Sequence, residues 1–592
     1  MKPIPALRYL CLLLCLGLLL PGLRAAPGYS AVLDSYYEDY LALFPIEAAI
    51  NGDNDSRYDA VWPNDISAEY RAKVAAMCDK YLTALANYDR DTLAPSDRLS
   101  YDTLNWSLNL RREGTQQFFY LIPVNQFSAP HLTFAQMGAG ASIHLFKTAQ
   151  DYRNFLSRAK GFSAWVDTAI ANMREGITKG IVQPRILMER VLPQLEPMMS
   201  ADPEQNIFFK PLEKLPAGLS ATEQAQLADE YRAGIDALIR PAYARLHDFI
   251  RDEYLPHCRT TAGIGALPGG KEAYAYTVRL QTTTGFTPEQ IHDIGLSEVA
   301  RIRGEMAKVQ AQVGFKGTLA EFLKFVATDP QFSPYKTDEE VLDGYRAIEA
   351  RVMASVPKFF RHLPRTKFEV RATEKFRAAT ASAEYNAGTA DGSRPGVFYV
   401  PIPDVNRFRT LRMEDLFLHE AIPGHHFQLS LALENTNLPR FRRYDANNAY
   451  VEGWALYCES MGKELGMYTN PYQYFGMLLG DMHRAIRLVV DTGLHSKGWT
   501  REQALAFTAE NEGGSETQNR AEVERYMSWP GQALGYKMGQ LKIREIRRRS
   551  EKQLGARFSL PAFHDCILME GALPLAVLDA HVQAWADQRA KE

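Results

Sequence analysis

The sequence predicts a mainly α-helical protein with a small β-sheet. Long stretches repeat apolar residues at helical spacing and use strong helix formers, as in "DEYRAGIDALIRPAYARLHDFIRDEY", "YKTDEEVLDGYRAIEARVMASVPKFF" and "REQALAFTAENEG". The segment "TPEQIHDIGLSEVARIRGEMAKVQAQV" also places Thr287 as a helix N-cap and Pro288 at the first helical position. Extended runs are few, and the clearest are "KFEVRAT" and "GVFYVPIPD".

Length and composition limit the domain organisation and the class of partner. The chain has 592 residues, of which 46% are apolar, which is enough to bury a large core. Because no short repeat or low-complexity linker divides the chain, residues 27–592 are predicted to form one large domain or two helical lobes. The 67 basic residues are balanced by 70 acidic ones, for a net charge of -3, so a nucleic-acid partner is not expected.

The N-terminus has the pattern of a secretory signal. Lys2 and Arg8 precede or flank an apolar run over residues 9–20, and small residues follow at Ala25 and Ala26. This pattern predicts a signal peptide over residues 1–26 and export to the periplasm or out of the cell. The apolar run is shorter than the roughly 20 residues that a spanning helix needs, so no transmembrane segment is expected in the mature chain.

The cysteines do not predict a metal site. Cys11 and Cys15 each follow a leucine rather than the small residue that lipoprotein cleavage requires, which favours a soluble exported protein. The remaining cysteines are Cys78, Cys258, Cys458 and Cys566. They lack CxxC spacing, so no zinc site built from cysteines is predicted, and disulfide pairing is not assigned.

The stretch "LHEAIPGHHFQ", residues 418–428, contains half of a zinc-binding motif. In an ordinary HExxH helix, histidines at positions i and i+4 reach one zinc ion and the glutamate polarises a water molecule. Here His419 and Glu420 are present, but position i+4 is Pro423. Since proline lacks an N–H and Gly424 tolerates unusual dihedral angles, the helix is predicted to bulge or unwind at this point.

Two histidines follow the predicted break. On a regular helix His425, at i+6, would point about 120° away from His419. His426, at i+7, would return to the same face but roughly 10 Å farther along the axis. Because a local break can bring His425 back towards the metal, His425 is the preferred second ligand and His426 is the alternative.

The segment "NAYVEGWALYCESMGKELG" offers a third ligand. Glu452 and Glu459 lie seven residues apart on one helix face, in a segment that also carries Trp454 and Tyr457. Carboxylates in apolar surroundings are costly unless they bind a cation or a polar partner. Glu452 is therefore predicted to be a metal ligand, and Glu459 is predicted to hydrogen-bond and orient a ligand.

Several blocks of the chain together carry a family resemblance: "HEAIPGHHFQ", "EGWALYCE", "RLVVDTGLH", "PGQALGYKMG", "ALPGGKEAYAYTVRLQTTTGFTPEQIHDIGL" and "DGSRPGVFYVP". They resemble the DUF885 family of uncharacterised, often exported bacterial proteins, from about Ser30 to the C-terminus. That family is similar in organisation to the helical gluzincin peptidases, which include angiotensin-converting enzyme, thimet oligopeptidase and thermostable carboxypeptidases.

The gluzincin resemblance implies a helical fold with a small β-sheet and a deep central cleft. It also implies a zinc ion held by two histidines and a later glutamate, which for this chain are His419, His425 and Glu452, with one ion per chain. Glu420 would then be the general base. This chain has a gap between the histidines that is two residues longer than in HExxH. Manganese or cobalt could replace zinc at such a donor set.

Further residues are candidates for contact with a substrate. His495 and Tyr536 are the preferred donors to an oxyanion, and a structural role is the alternative for each. The remaining candidates are substrate-binding side chains: Arg525 for a substrate carboxylate, Tyr526 near it, and Tyr385, Arg394 and Tyr399 beside an edge strand.

The predicted function is that of an exported zinc-dependent hydrolase whose single large catalytic domain cleaves short peptides or another small amide. Three alternatives remain open at this stage. The same chemistry could cleave a non-peptide amide or an ester, the fold could belong to a catalytically inactive binding protein, or the metal could be purely structural. The intact His-Glu pair favours an enzyme.

Overall fold

The computed structural model describes residues 28–592 except residues 54, 141–142, 376–377, 379–380, 391 and 393. The signal peptide predicted for residues 1–26 therefore lies outside the described residues. The predicted mainly α-helical class with a small sheet is confirmed. Within the described ranges, no helix combines the length and the apolar character that crossing a membrane requires.

The N-terminal part of the chain is helical with an aromatic core. Its helices are α1 (Tyr29–Leu43), α2 (Pro45–Ile50), α3 (Ala68–Leu85), α4 (Pro95–Gly114), α5 (Pro130–Gly138), α6 (Ala149–Lys179), α7 (Arg185–Met199), α8 (Ala221–Gly234) and α9 (Arg240–Phe249). Phe162 of α6 is fully buried; its ring stacks on that of Phe134 of α5 with centroids 4.2 Å apart, and it also contacts Tyr243 of α9. The long helix α6 is thus the centre of this part.

The middle of the chain supplies the helices that support the C-terminal part: α10 (Gly270–Thr282), α11 (Pro288–Gln312), α12 (Leu319–Thr328) and α13 (Asp338–Ser355). The predicted N-cap of α11 is confirmed. The Thr287 hydroxyl accepts a hydrogen bond from the Gln290 N–H at 3.3 Å, and the Gln290 side chain accepts one from the Thr287 N–H at 2.9 Å. This reciprocal cap satisfies two backbone donors at the start of the helix.

The small sheet has three described strands, β1 (Phe368–Ala372), β2 (Glu384–Asn386) and β3 (Gly396–Val400), in the order β1-β3-β2. β1 runs parallel to β3 and β2 runs antiparallel to it. The two runs predicted to be extended, "KFEVRAT" and "GVFYVPIPD", contain β1 and β3. Phe398 of β3 faces the core and lies opposite Val370 on one side and Tyr385 on the other.

The C-terminal part is again helical: α14 (Met413–Glu420), α15 (His425–Glu434), α16 (Arg440–Tyr444), α17 (Asn448–Ser460), α18 (Pro471–His495), α19 (Arg501–Glu512), α20 (Glu516–Ser528), α21 (Leu534–Leu554), α22 (Leu560–Leu568) and α23 (Leu575–Arg589). α18 packs along α11 and α17 packs along α21. Lys537 of α21 is fully buried and its Nζ lies 2.6 Å from Asp481 of α18 and 2.9 Å from Glu298 of α11. This buried ion-pair network fixes α11, α18 and α21 against one another.

One buried apolar cluster extends from Trp62 to Val582. Whether this core belongs to one domain or to two lobes stays a prediction, as does the deep central cleft. A cavity of about 390 Å³ lies among the N-terminal helices, where its lining includes Phe44 and Tyr70. No residue that lines this cavity belongs to the predicted metal ligands.

Helices α17 and α21 approach each other through two glycines. A Cβ atom placed on Gly453 would lie 2.5 Å from the Gly539 Cα atom, and one placed on Gly539 would overlap the Ala449 carbonyl oxygen. Side chains are therefore excluded from this crossing, and the backbones of the two helices are in contact.

We predict that Gly539→Ala lowers the free energy of unfolding by about 1–3 kcal/mol, because the added methyl group overpacks the crossing. Thermal unfolding followed by circular dichroism measures this effect as a lower melting temperature. Gly304→Ala is the matched control, since a Cβ atom there meets nothing within 4 Å and lies inside α11. An unchanged melting temperature for Gly539→Ala would contradict the close packing of α17 on α21.

Candidate metal centre

The predicted break after His419 is present. α14 ends at Glu420 and α15 begins at His425, with Ala421 at φ -105° and ψ -107°, outside the helical region. A Cβ atom on Gly424 would overlap the carbonyl oxygens of Leu418 and His419, so only glycine allows the chain to fold back this closely. The four residues between the helices thus return the chain towards the end of α14.

This turn is held from the side by α17. The indole N–H of Trp454 donates a hydrogen bond to the Pro423 carbonyl oxygen at 3.0 Å, and the Trp454 side chain is fully buried. The Pro423 carbonyl group has no hydrogen-bond donor within a helix. A residue of α17, the helix that carries Glu452, supplies that donor instead.

The break brings His425 beside His419 and Glu452. Ligand atoms of these three residues all lie within 4.8 Å of one another. The Glu452 Oε2 atom is 3.4 Å from Nε2 of His419 and 3.8 Å from Nε2 of His425. The two imidazole rings are nearly perpendicular, at 84°, with centroids 4.9 Å apart. The three residues form the candidate metal centre.

The donor atoms fit a small cation. Glu452 Oε2 is buried and makes no hydrogen bond, although it faces Nε2 of both imidazoles. A buried polar atom without a partner is unfavourable, so its presence indicates a missing ligand. Two imidazoles and one carboxylate are a donor set that zinc prefers.

Glu459 orients His419. Its Oε1 atom accepts a hydrogen bond from His419 Nδ1 at 2.7 Å, and both side chains are buried. Burial lowers the pKa of His419, but the carboxylates of Glu452, 3.4 Å away, and Glu459 outweigh burial and raise this pKa to about 10. Burial raises the pKa of Glu452, whereas the nearby His419 and His425 imidazoles and other groups lower it to about 2. The carboxylates are therefore arranged to hold positive charge.

His426 points elsewhere. Its Nδ1 atom lies 2.9 Å from the Tyr385 hydroxyl and 3.3 Å from Ser430 Oγ, and its ring contacts that of Phe368. The geometry thus groups His425, rather than His426, with His419. Tyr385, predicted to bind substrate, instead supports His426 from strand β2.

Glu420 adjoins the candidate centre at the end of α14. Its Oε1 atom is 4.0 Å from His419 Nε2, and the side chain is buried. Burial raises the pKa of Glu420 to about 7, against the opposing effects of His419 and Arg484. A carboxyl group with such a pKa exchanges a proton readily near neutral pH, as a general base requires.

Tyr536 of α21 lies on the other side of Glu452. A hydrogen bond from Tyr536 helps to lower the pKa of Glu452, and the charge of Glu452 in turn contributes to raising the pKa of Tyr536, after burial. The guanidinium group of Arg487 lies 4.6 Å from the Tyr536 ring centroid. The hydroxyl is thus a neutral hydrogen-bond donor beside the predicted ligands.

His495 and Tyr526 need correction as substrate-contacting residues. His495 is fully buried; Nδ1 accepts a hydrogen bond from the Ile264 N–H and the Nε2–H donates to the Tyr526 carbonyl oxygen, each at 3.0 Å. The Tyr526 hydroxyl donates to Glu522 at 2.8 Å. With these groups occupied inside the core, His495 has a structural role, and the sequence "DTGLH" did not reveal its backbone partners.

The other substrate-binding predictions occupy different surroundings. Arg394 is an exposed loop residue whose guanidinium group reaches the Ala387 carbonyl oxygen at 3.3 Å. Tyr399 lies in β3 and is half-buried. Arg525 is connected to the centre, because it donates to the Gln532 side chain at 2.8 Å and Gln532 contacts Tyr536.

Sequence reasoning missed two arginines of α18, Arg484 and Arg487, which lie close to Tyr536. Their signal was present: "DMHRAIRLVV" places two arginines one helical turn apart in a segment that is otherwise largely apolar. Arg487 is buried and Arg484 is half-buried, and enclosed arginines of this kind need an anionic partner, which the sequence alone does not identify.

The fold and this site define a mainly helical protein with a two-histidine, one-glutamate candidate metal centre. The family model described as "Bacterial protein of unknown function (DUF885)" matches residues 45–582, and the chain belongs to this family. No curated protein sequence matches the chain.

The solved structures that are similar to this one include two described as lipoproteins. A "putative lipoprotein" from Colwellia psychrerythraea is 29% identical, with a TM-score of 0.86 over 95% of this chain and 99% of that chain. A "putative lipoprotein of unknown function" from Shewanella oneidensis is 20% identical, with a TM-score of 0.70 over 94% of this chain and 99% of that chain. The second likeness shows the fold alone.

We predict that Gly424→Ala displaces the 421–424 turn, because the methyl group cannot occupy the space of two carbonyl oxygens. The expected result is a lower melting temperature and weaker binding of added zinc, measured by calorimetry. Gly285→Ala, where a Cβ atom meets nothing within 4 Å, is the control. Wild-type zinc affinity in Gly424→Ala would contradict the role of this turn.

Proposed function

We propose that this protein is an exported, zinc-dependent hydrolase that cleaves short peptides. The observation that carries the proposal is the convergence of His419, His425 and Glu452 beside the buried carboxyl group of Glu420. Metal ligands and a general base are the groups that metal-assisted hydrolysis of an amide bond requires. The intact Glu420 favours an enzyme over a binding protein of the same fold.

In this proposal His419, His425 and Glu452 hold the metal ion, and Glu459 fixes the tautomer and orientation of His419. Zinc bound there supplies a Lewis acid and activates a water molecule near neutral pH. Glu420 removes the proton from the water and delivers it to the departing amine. Its burial supports this role, because it brings the pKa close to the working pH.

Tyr536 donates a hydrogen bond to the oxyanion that develops on the carbonyl group of the substrate. Two observations support this assignment: the hydroxyl is in contact with Glu452, and burial keeps it protonated by raising its pKa. A preorganised donor at this position stabilises the transition state more than the ground state.

Export is part of the proposal. The signal pattern of residues 1–26 supports it, as does the likeness to a structure described as a "putative lipoprotein". The flanks of Cys11 and Cys15 still predict that neither cysteine carries a lipid.

The first test is the metal content of the purified mature protein by elemental analysis. We expect about one zinc per chain in wild type and in His426→Ala, and loss of zinc in His425→Ala and Glu452→Ala. Glu459→Gln keeps the ligands but weakens the orientation of His419, so its zinc affinity should fall about 10–100-fold. No bound metal in wild type after zinc is supplied would refute the proposed site, and loss of zinc in His426→Ala would reassign the second ligand.

The second test is hydrolysis of a peptide library by the zinc-loaded protein, read by mass spectrometry. Glu420→Gln should retain zinc and lower kcat by about 10²–10⁴-fold, because the amide cannot accept the proton of water. Equal activity of Glu420→Gln and wild type would remove Glu420 from the mechanism. If neither protein cleaves peptides while both bind zinc, the peptidase assignment fails and ester and non-peptide amide substrates become the next class to assay.

A further inference from the structure

An arginine group lies beside the candidate metal centre. It consists of Arg484 and Arg487, one turn apart on α18, and Arg525 of α20. Tyr536 connects the group to the centre: Arg487 lies over its ring at 4.6 Å, and Arg525 reaches it through Gln532.

Two members of the arginine group already have an anionic partner. The Glu522 carboxylate lies 3.1 Å from Arg487 and 3.4 Å from Arg525, and it also accepts a hydrogen bond from the Tyr526 hydroxyl at 2.8 Å. Among the described residues, one carboxylate therefore serves as the direct ion-pair partner of two guanidinium groups.

Arg484 has no such partner among the described residues. No carboxylate oxygen of that part of the chain lies within the 4.0 Å salt-bridge distance of its guanidinium nitrogens, and its Nε atom is buried without a hydrogen bond. Its one hydrogen bond of acceptable geometry is a long contact, at 3.5 Å, with the Gly480 carbonyl oxygen. An enclosed guanidinium group without a counter-ion is strongly unfavourable, so a ligand that carries negative charge would stabilise it.

Arg484 also has the correct location to contact a substrate. It lies one turn before Arg487, whose guanidinium group is 4.6 Å from the Tyr536 ring centroid, on the helix α18 that packs against α14, the helix of Glu420. Glu459 is the carboxylate with the largest effect on Arg484, but Glu459 is already hydrogen-bonded to His419 at 2.7 Å.

We infer that Arg484 binds a free carboxylate of the substrate, and that the protein therefore cleaves peptides near a free C-terminus. This inference rests on the proposed peptidase function. A guanidinium group matches a carboxylate with two parallel hydrogen bonds, and the unbalanced charge of the arginine group favours an anionic ligand over a neutral one. The backbone of an internal peptide segment carries no charge and would leave Arg484 unpaired.

The test compares the zinc-loaded full chain on a mixed N-acetyl tetrapeptide library made as free acids and as C-terminal amides. Wild type should cleave the acids about 30-fold or more faster in kcat/KM, since an unpaired buried charge costs at least about 2 kcal/mol. In Arg484→Met the ratio of acid to amide cleavage should fall towards one, and Arg484→Lys should restore part of it. Arg346→Met removes an exposed arginine of α13 and should keep the wild-type ratio.

A structural role of Arg484 gives a different result, because Arg484→Met would then slow the acids and the amides equally. That outcome, or a wild-type ratio near one, would overturn the inference. Melting temperatures of both variants control for misfolding.

A binding measurement separates this inference from the proposed function. Equilibrium dialysis of the same libraries against Glu420→Gln, with and without Arg484→Met, detects the carboxylate preference without turnover. Preferential binding of acids that depends on Arg484 supports the inference even if hydrolysis fails, and equal binding of acids and amides refutes it.

Discussion

The hydrogen bond from Trp454 to the Pro423 carbonyl oxygen is the contact on which the candidate centre depends. A proline and a glycine permit a helix to break, but they do not determine where the chain goes next. The indole group supplies that direction, because it belongs to α17, the helix that also presents Glu452. The same helix thus fixes the turn that returns His425 and provides the carboxylate that His425 faces, at 3.8 Å.

The position of α17 is in turn fixed by α21. The backbones meet at Gly453 and Gly539, next to Glu452, and the start of α21 carries Tyr536. Lys537, the next residue, anchors α21 to α18 and α11 through buried ion pairs with Asp481 and Glu298. The contacts of α21 with α17 are backbone contacts, and its contact with α18 is a buried charge pair. A small displacement of one of these helices therefore costs packing or desolvation energy at its contact with the next. The site is thereby preorganised by helix packing rather than by loops.

Much of this arrangement could be predicted from local sequence. Helical periodicity, the cap at Thr287 and the two extended runs depend on neighbouring residues, and the break at Pro423 follows from covalent chemistry. The grouping of His425 with His419, rather than of His426, depends on the backbone path of residues 421–424, which local sequence does not determine. The structural alternative for His495 could not be preferred from local sequence, because its partners, the Ile264 N–H and the Tyr526 carbonyl oxygen, are distant in sequence. Arg484 was overlooked because an unpaired charge is a property of the packed structure.

The carboxyl groups of the site differ in ways that match different tasks. Glu452, which faces two imidazoles, is held ionised: burial would raise its pKa, but the nearby His419 and His425 imidazoles bring it to about 2. Glu420 lies one residue beyond His419, yet burial raises its pKa to about 7 because no comparable donor compensates for lost solvation. When their surroundings give two neighbouring carboxyl groups different pKa values, one stays ionised and the other can gain and lose a proton near neutral pH. One therefore suits a cation and the other suits proton transfer, and this division favours hydrolytic chemistry over simple metal storage.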